Sequence, residues 1–267
     1  QPRANLRIQI EDRRGCSRYI GWLIEGVRIR PSPGWMQRRL LACGCRPINT
    51  VVDVTNYVLL EYGQPLHAFD FERLANGAVL VRRARPNEPI TTLDGVSRRL
   101  ASETLVIADA QQAVAVAGIM GGRGSEVTER TETVLLESAR FDPVTVRRAA
   151  RTLGLSSESS YRFERGVDPV GVEAASARAA ALIIELADGR LSQVVDIGER
   201  PKPRPAILLE ADRANRWLGT RFSPAQMRAT LTKLSCRVSG SGGWLRVTPP
   251  SFRQDLTLAA DLYEELA

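Results

Sequence analysis

The sequence predicts an α+β protein in two parts. Mixed and antiparallel sheets with packed helices occupy residues 1–200, and a smaller unit occupies 206–267. Three observations lead there. Short β-rich runs broken by turn residues fill the stretch from Val79 to Leu136. Helix starts of the Ser-Pro and Asp-Pro kind flank that stretch, with the capping side chain just ahead of a proline preset for the first turn. Pro201-Lys202-Pro203-Arg204-Pro205 alternates prolines, which favours extended, semi-rigid chain, and marks 201–205 as a linker.

In order, Leu6 to Ile10 and Ile20 to Ile29 alternate as strands do. Ser32-Pro33 reads as an N-cap and first helical position, starting a helix that carries Trp35, Met36, Leu40 and Leu41 and stops at Gly44. Val51, Val54 and Val58 fall at i, i+3 and i+7, the spacing of a second helix, for which Gly63 is a natural stop. Gln64-Pro65-Leu66-His67 then reads as a short polar turn. Val79-Leu80-Val81 is a strand, and Ile90 to Leu93 runs into Asp94-Gly95, a hairpin signal. Thr104 to Ala108 and Ala113 to Ala117 form a second hairpin around Asp109–Gln112, and Thr133 to Ser138 is an apolar strand. Asp142-Pro143 and Asp168-Pro169 each start a helix, the second running through Leu182, Ile183, Ile184 and Leu186 to Asp188-Gly189. Beyond the linker come a strand at Ile207-Leu208-Leu209, a helix ending near Gly219 and a helix capped by Ser223-Pro224. Two short strands then meet across Ser239–Gly243, and a last helix is still running at Ala267, so the chain reads as cut there. A unit of this size is marginal unless it packs on something else.

With 267 residues, 43% hydrophobic and 25% charged, the composition is that of an ordinary soluble globular protein. No apolar run approaches the roughly 18 residues that span a bilayer, and Gln1–Asn5 resembles neither a secretory nor a transit peptide, so a cytoplasmic location is expected. The net charge is +7, almost all of it from arginine, with Lys202 and Lys233 the only lysines. Arginine favours bidentate phosphate contacts and so a nucleic-acid partner, although coding bias alone also produces an arginine-rich, lysine-poor chain. Cys16, Cys43, Cys45 and Cys236 form no CxxC pair, and a single histidine does not complete a typical zinc set. Reduced thiols are expected.

That histidine, His67, shares one helix–turn unit with Thr55, Asn56 and Gln64, a concentration of hydrogen-bonding side chains around a group that titrates near neutrality. A packed or surface histidine is the ordinary alternative. Gly118-Ile119-Met120-Gly121-Gly122-Arg123-Gly124 follows a strand but carries neither GK[ST] nor GxGxxG, which argues against a nucleotide-triphosphate cradle. Its glycines suit either close backbone approach to a ligand or a tight bulged turn. Glu137 ends the apolar run Val134-Leu135-Leu136, where a carboxylate is either at a strand end in water or bonded to something specific. Ser156 to Arg165 alone reads as a solvated polar segment. No Ser-His-Asp order or nucleophile elbow is present, which disfavours covalent acyl transfer. Asp261, Glu264 and Glu265 share one helix face with Asp255 a loop ahead, a set suited to Mg²⁺ or to a solvated acidic surface.

Several of these stretches together resemble the editing module of the bacterial phenylalanyl-tRNA synthetase beta subunit. They are Asp53-Val54-Thr55-Asn56-Tyr57 with Gly63-Gln64-Pro65-Leu66-His67-Ala68-Phe69-Asp70, then Gly118-Ile119-Met120-Gly121-Gly122, Leu136-Glu137-Ser138-Ala139 with Phe141-Asp142-Pro143, and Tyr161-Arg162-Phe163-Glu164-Arg165-Gly166-Val167-Asp168-Pro169. They cover about residues 5 to 200 in the family's order. After the linker, Pro250-Ser251-Phe252-Arg253-Gln254-Asp255 with Asp261-Leu262-Tyr263-Glu264-Glu265 resembles the module that follows in the same subunit, a small winged-helix-like fold.

The resemblance implies an α2β2 enzyme that joins phenylalanine to tRNA(Phe) with ATP on an alpha subunit, ATP not being expected to bind this chain. The beta subunit's editing module hydrolyses tRNA wrongly charged with tyrosine. It implies Glu137 as the tyrosine-hydroxyl partner beside Gly118 backbone. His67, Asn56 and Thr55 then lie near the amino group, scissile ester and terminal adenosine, with water as nucleophile and His67 as orienter or base. Gln64, Pro65, Gly118, Met120, Gly121, Ser157 and Ser159 line the pocket. Asp255, Asp261, Glu264 and Glu265 fall on the family's Mg²⁺ positions, at a site shared with the alpha subunit. Ser159 stands where the family commonly has alanine, which keeps open a rival reading: a non-catalytic, tRNA-contacting scaffold with a decayed editing site.

Overall fold

A computed structural model describes residues 5–267. The chain opens with β1 (Arg7–Ile10) and β2 (Cys16–Glu25). β2 starts earlier than the apolar alternation suggests and ends at Glu25, because Gly26 takes a left-handed φ of 70° and turns the chain away. α1 (Gly34–Ala42) follows, and here the expected cap is corrected: Pro33 is the N-cap, with no side-chain cap. The Ser32 hydroxyl donates instead to the buried carboxylate of Asp53, which also accepts from the Ile48 amide at 2.7 Å. α2 (Thr50–Tyr62) is capped by the Asn49 side chain and stopped by Gly63 at φ 72°. The polar turn then proves shorter than expected. β3 (Leu66–Asp70) begins immediately after Pro65, so His67 sits in a strand.

β4 (Ala78–Arg83) precedes the hairpin of β5 (Glu88–Thr91) and β6 (Ser97–Leu100). β7 (Leu105–Ala108), β8 (Ala113–Val116) and the two-residue β9 (Met120–Gly121) come next, then β10 (Thr133–Phe141). α3 (Pro143–Leu153) is capped by Asp142, which accepts from the Thr145 amide. The stretch expected as a solvated loop contains α4 (Glu158–Phe163), closed by a Ser157–Ser160 capping box. α5 (Gly171–Leu186) starts later than Asp168-Pro169 suggests, because the Asp168 carboxylate accepts from the Val170 amide and closes a turn first. β11 (Arg190–Gly198), absent from the sequence reading, completes this part.

Two sheets result. β1-β4-β7-β8-β9 is mixed, with β1 parallel to β4 and the remaining pairs antiparallel. β11-β2-β10-β3 is wholly antiparallel. Strand alternation gives this second sheet two buried faces. Tyr19, Leu23, Phe69, Leu135 and Phe141 pack into one core with the mixed sheet, while Ile24, Leu66, Val134 and Leu136 pack into another with α1, α2 and α5.

The chain divides into two compact units, one running to Val167 with Gly171–Arg200, the other Asp168–Val170 with Pro201–Ala267. In the second, β12 (Ile207–Glu210) leads into α6 (Ala211–Leu218) and α7 (Pro224–Lys233). The hairpin of β13 (Arg237–Ser239) and β14 (Trp244–Thr248) completes a three-stranded sheet, β12-β14-β13, in the manner of a winged helix. Leu209, Met227, Leu231, Leu245 and Val247 give it a core of its own. α8 (Ala259–Glu264) closes at Glu264, earlier than the sequence pattern indicates.

Candidate active site

A cleft of about 540 Å³ opens in the larger unit, bounded by α2, β3, the β8–β9 turn, β10 and the start of α4. Each element delivers its residues by a simple periodicity. On α2, Val52, Thr55, Asn56 and Leu59 lie at i, i+3, i+4 and i+7 and line one wall. Across the antiparallel sheet, Glu137 of β10 stands directly opposite His67 of β3 and opposite Gly21 of β2, a single row over three strands. Residues in such a row share a face, here the face that otherwise buries Leu135 and Phe69. The cleft therefore holds Glu137 and His67 side by side on an apolar floor.

The glycines of the β8–β9 turn make room. Gly118 has a φ of 70°, and a Cβ there meets Phe141 and Phe163 at 3.0 Å. A Cβ on Gly121 falls 2.5 Å from Cε1 and 2.7 Å from Nε2 of His67. The imidazole thus lies flat against bare backbone, with Phe69 edge-on at 4.4 Å between centroids. The Ser157 hydroxyl donates to the Ile119 carbonyl at 2.7 Å and accepts from the Ser160 amide, tying α4 to the glycine turn.

Burial sets the electrostatics. It raises the Glu137 carboxyl to about 7, opposed by the hydrogen bond from Tyr19, whose hydroxyl donates to Oε2 at 2.7 Å. It lowers His67 to about 4, so the imidazole is neutral through the physiological range. His67 keeps part of its ring open to the cleft, while Nε2 is enclosed without a hydrogen-bond partner.

Thr55, Asn56, Pro65, His67, Gly118, Met120, Gly121, Glu137, Ser157 and Ser159, all singled out in the sequence, line this one cleft. Two of them are partly committed elsewhere: the Thr55 hydroxyl donates to the Val52 carbonyl at 2.7 Å, and Ser157 is the cap just described. Gln64 departs from expectation. Its amide group donates to the carbonyls of Pro65 and Ala139, so it braces the turn instead of lining the cleft. Tyr19 was missed. A tyrosine within an apolar strand needs a partner for its hydroxyl, and that was the available signal. Glu126, also on the cleft wall, was missed as well.

Three of the four carboxylates of the smaller unit are already engaged within it. Arg253 pairs with Asp255 at 2.6 Å and with Glu265, and holds Asp255 below the usual carboxylate range. Asp261 turns back to accept from the amides of Thr257 and Leu258 at 2.6 and 2.7 Å, capping α8. Glu264 is exposed. Among the described residues no three His, Cys, Asp or Glu side chains are grouped to hold a metal ion. The oxygen donors suit Mg²⁺ chemically, but as arranged they do not form its site.

The B3/4 domain model matches residues 15–188, the segment that forms the cleft. The chain belongs to the B3/4 domain family. Behind the B3/4 domain, the tRNA synthetase B5 domain model matches 207–267, the unit that carries the four carboxylates. The chain is 51% identical over 253 residues to the phenylalanine–tRNA ligase beta subunit of Moorella thermoacetica, covering 94% of this chain and 31% of that protein. It is 47% identical over 263 residues to the one from Carboxydothermus hydrogenoformans, covering 98% and 33%. The chain thus spans about a third of the length of these relatives. A crystal structure of an N-terminal fragment of the phenylalanyl-tRNA synthetase beta subunit from Pyrococcus horikoshii aligns with a TM-score of 0.44 and 14% identity, covering 99% of this chain and 74% of that one. The two curated relatives extend the resemblance over nearly the whole sequence, 94% and 98% of it. Among the described residues no helix is long and apolar enough to cross a membrane.

Proposed function

We propose that the cleft hydrolyses the ester of tyrosine wrongly attached to tRNA(Phe), within a phenylalanine–tRNA ligase beta subunit that works in the cytoplasm with an alpha subunit as an α2β2 enzyme. On this reading 1–200 is the editing module, 201–205 the linker and 206–267 the winged-helix-like module. The observation that carries it is the pairing of Glu137 with His67 on one strand row, in a cleft whose remaining floor is apolar. A phenyl-shaped pocket rejects an added hydroxyl poorly, by roughly a hundredfold or less, whereas a site built to hydrogen-bond that hydroxyl selects it strongly. The Glu137 carboxylate accepts a hydrogen bond from the phenol hydroxyl. The aromatic ring lies on the apolar floor, and the ester carbonyl points toward His67, Asn56 and Thr55. Water attacks that carbonyl, and the bond to the ribose oxygen of the terminal adenosine breaks. His67, neutral at working pH, orients the water or accepts its proton; Thr55, its own proton committed, offers only lone pairs.

Arginine-rich surface suits the tRNA backbone. ATP and the synthetic reaction belong to the partner subunit on this reading, and Mg²⁺ at Asp255, Asp261, Glu264 and Glu265 requires rearrangement of the Arg253 pairs. The deciding experiment is deacylation of tyrosine-charged tRNA(Phe) by this chain and by its Glu137→Ala and His67→Ala variants. Both variants are expected to lose tenfold or more, on the scale of about 1.4 kcal/mol per decade. Equal rates for all three remove these residues from the chemistry and favour the scaffold reading.

A further inference from the structure

We propose that Tyr19 is a positioning residue for tyrosine selection: its hydroxyl holds Oε2 of Glu137 and leaves Oε1 as the single acceptor for a bound phenol. The inference rests on the cleft being a tyrosine-selecting site. Tyr19 touches no substrate on this reading, since it is fully buried, with 0% exposure.

Sheet register explains how it reaches. On β2, Gly21 is the residue opposite Glu137, and Tyr19 is two residues along, opposite Ala139. Diagonal neighbours of this kind are within reach of a long side chain. Gly21 has no side chain to intervene, and the space above it is filled from β1, where the Ile8 Cδ1 lies 2.5 Å from the place a Cβ would take. Ile8 therefore fills the space over Gly21, and Tyr19 reaches the carboxyl group diagonally. Among the described residues the Glu137 side chain is hydrogen-bonded by Tyr19 alone, through Oε2, while Glu137 also forms part of the cleft wall.

The charged and titratable neighbours make this hydrogen bond decisive. On β2, Tyr19 and Cys16 both stay protonated, because burial beside Glu137 pushes each of them up. On β3, His67 is neutral above about 4. On the remaining walls Glu126 is a second carboxylate, and Glu158 is paired with Arg162 at 2.7 Å. Among the described residues no cation faces Glu137, so the Tyr19 hydroxyl is the group that favours its ionised form. An ionised Glu137 accepts a phenol hydrogen bond; with phenylalanine in the cleft its Oε1 stays unanswered in an apolar site. Tyrosine preference therefore requires the ionised form and rises with pH through the Glu137 midpoint.

The test compares the chain with its Tyr19→Phe variant. The Glu137 carboxyl carbon is titrated by NMR in the free chain, and L-tyrosine and L-phenylalanine binding is measured by calorimetry between pH 5.5 and 8.5. In Tyr19→Phe the midpoint is expected to move up by about one pH unit. Tyrosine affinity at pH 7 is expected to fall roughly tenfold while phenylalanine affinity changes less than about twofold. An unchanged midpoint with intact tyrosine preference overturns the role of Tyr19 and leaves the tyrosine-selecting cleft standing. A moved midpoint in a chain that prefers tyrosine at no pH overturns the cleft reading, and the selection role with it. If Tyr19→Phe does not fold, Glu137→Gln serves: pH dependence of tyrosine preference that survives it overturns the inference, and its loss supports it.

Discussion

Glu137 and His67 share one patch of low dielectric but are shifted in opposite directions, and the consequence is measurable without any substrate. With Glu137 at about 7 against an ordinary 4.5, the folded chain holds a proton that the unfolded chain has released, so stability falls as pH rises through that window. With His67 at about 4 against 6.5, the unfolded chain binds the extra proton, so stability rises with pH from about 4 to 6.5. Where the windows overlap the two slopes oppose each other. His67→Gln is expected to lose stability steadily toward pH 7, and Glu137→Gln to gain it from pH 4 to 6.5 and then level off. Each change is on the order of 3 kcal/mol, read from urea midpoints at fixed pH. A variant with the parent's pH profile contradicts the assignment for that residue. At this scale the sequence was informative about identities: Glu137 was noticed because a carboxylate ends an apolar run, His67 because it is the only histidine. Tyr19 was not, since its partner lies 118 residues away and only register brings them together.

Among the elements, local chemistry made the helix ends readable. Gly63, Asp142-Pro143 and Ser223-Pro224 act as expected. Local chemistry failed where a side chain was claimed over a longer distance: Ser32 serves Asp53 and not its own helix. β11 escaped notice because it is an edge strand whose side chains are only half-covered, which weakens the apolar alternation. The β8–β9 turn left two readings open, close approach to a ligand or a tight turn. The structure makes it a hairpin turn with His67 laid against its second glycine. Gly121→Ala is therefore expected to displace the imidazole and reduce tyrosyl-ester hydrolysis at least tenfold. Circular dichroism and L-tyrosine affinity are expected to change little, because Glu137 stands on another strand. Full hydrolytic activity in Gly121→Ala contradicts this packing account.

For the molecule as a whole, the α+β class was legible because turn residues and helix caps punctuate the chain so clearly. The pairing of β1 with β4 and of β2 with both β10 and β11 was not, since these partners are separated by long stretches of sequence. The smaller unit was legible as a motif but not as an arrangement of charge. Its four carboxylates share a segment, yet Arg253 answers two of them and helix capping takes a third. Magnesium titrated calorimetrically into this chain alone is accordingly expected to give no saturable binding below about 1 mM, short of what dedicated carboxylate sites achieve. Tight one-to-one binding contradicts the arrangement described.

The two members of the Glu137–His67 row do not sit in equivalent strands. β10 is interior, bonded on one side to β2 and on the other to β3, whereas β3 is the outer strand, with the isolated bridge from Phe69 to Glu126 on its free side. Outer strands open at lower free energy than interior ones. On the proposed reading, the side chain that reads the amino acid is thus anchored in an interior strand, and the one beside the bond to be broken is carried on a strand able to breathe. If the cleft is the proposed ester hydrolase, a scaffold built this way tolerates adjustment of the hydrolytic rate by changes along β3 while the choice of amino acid stays fixed.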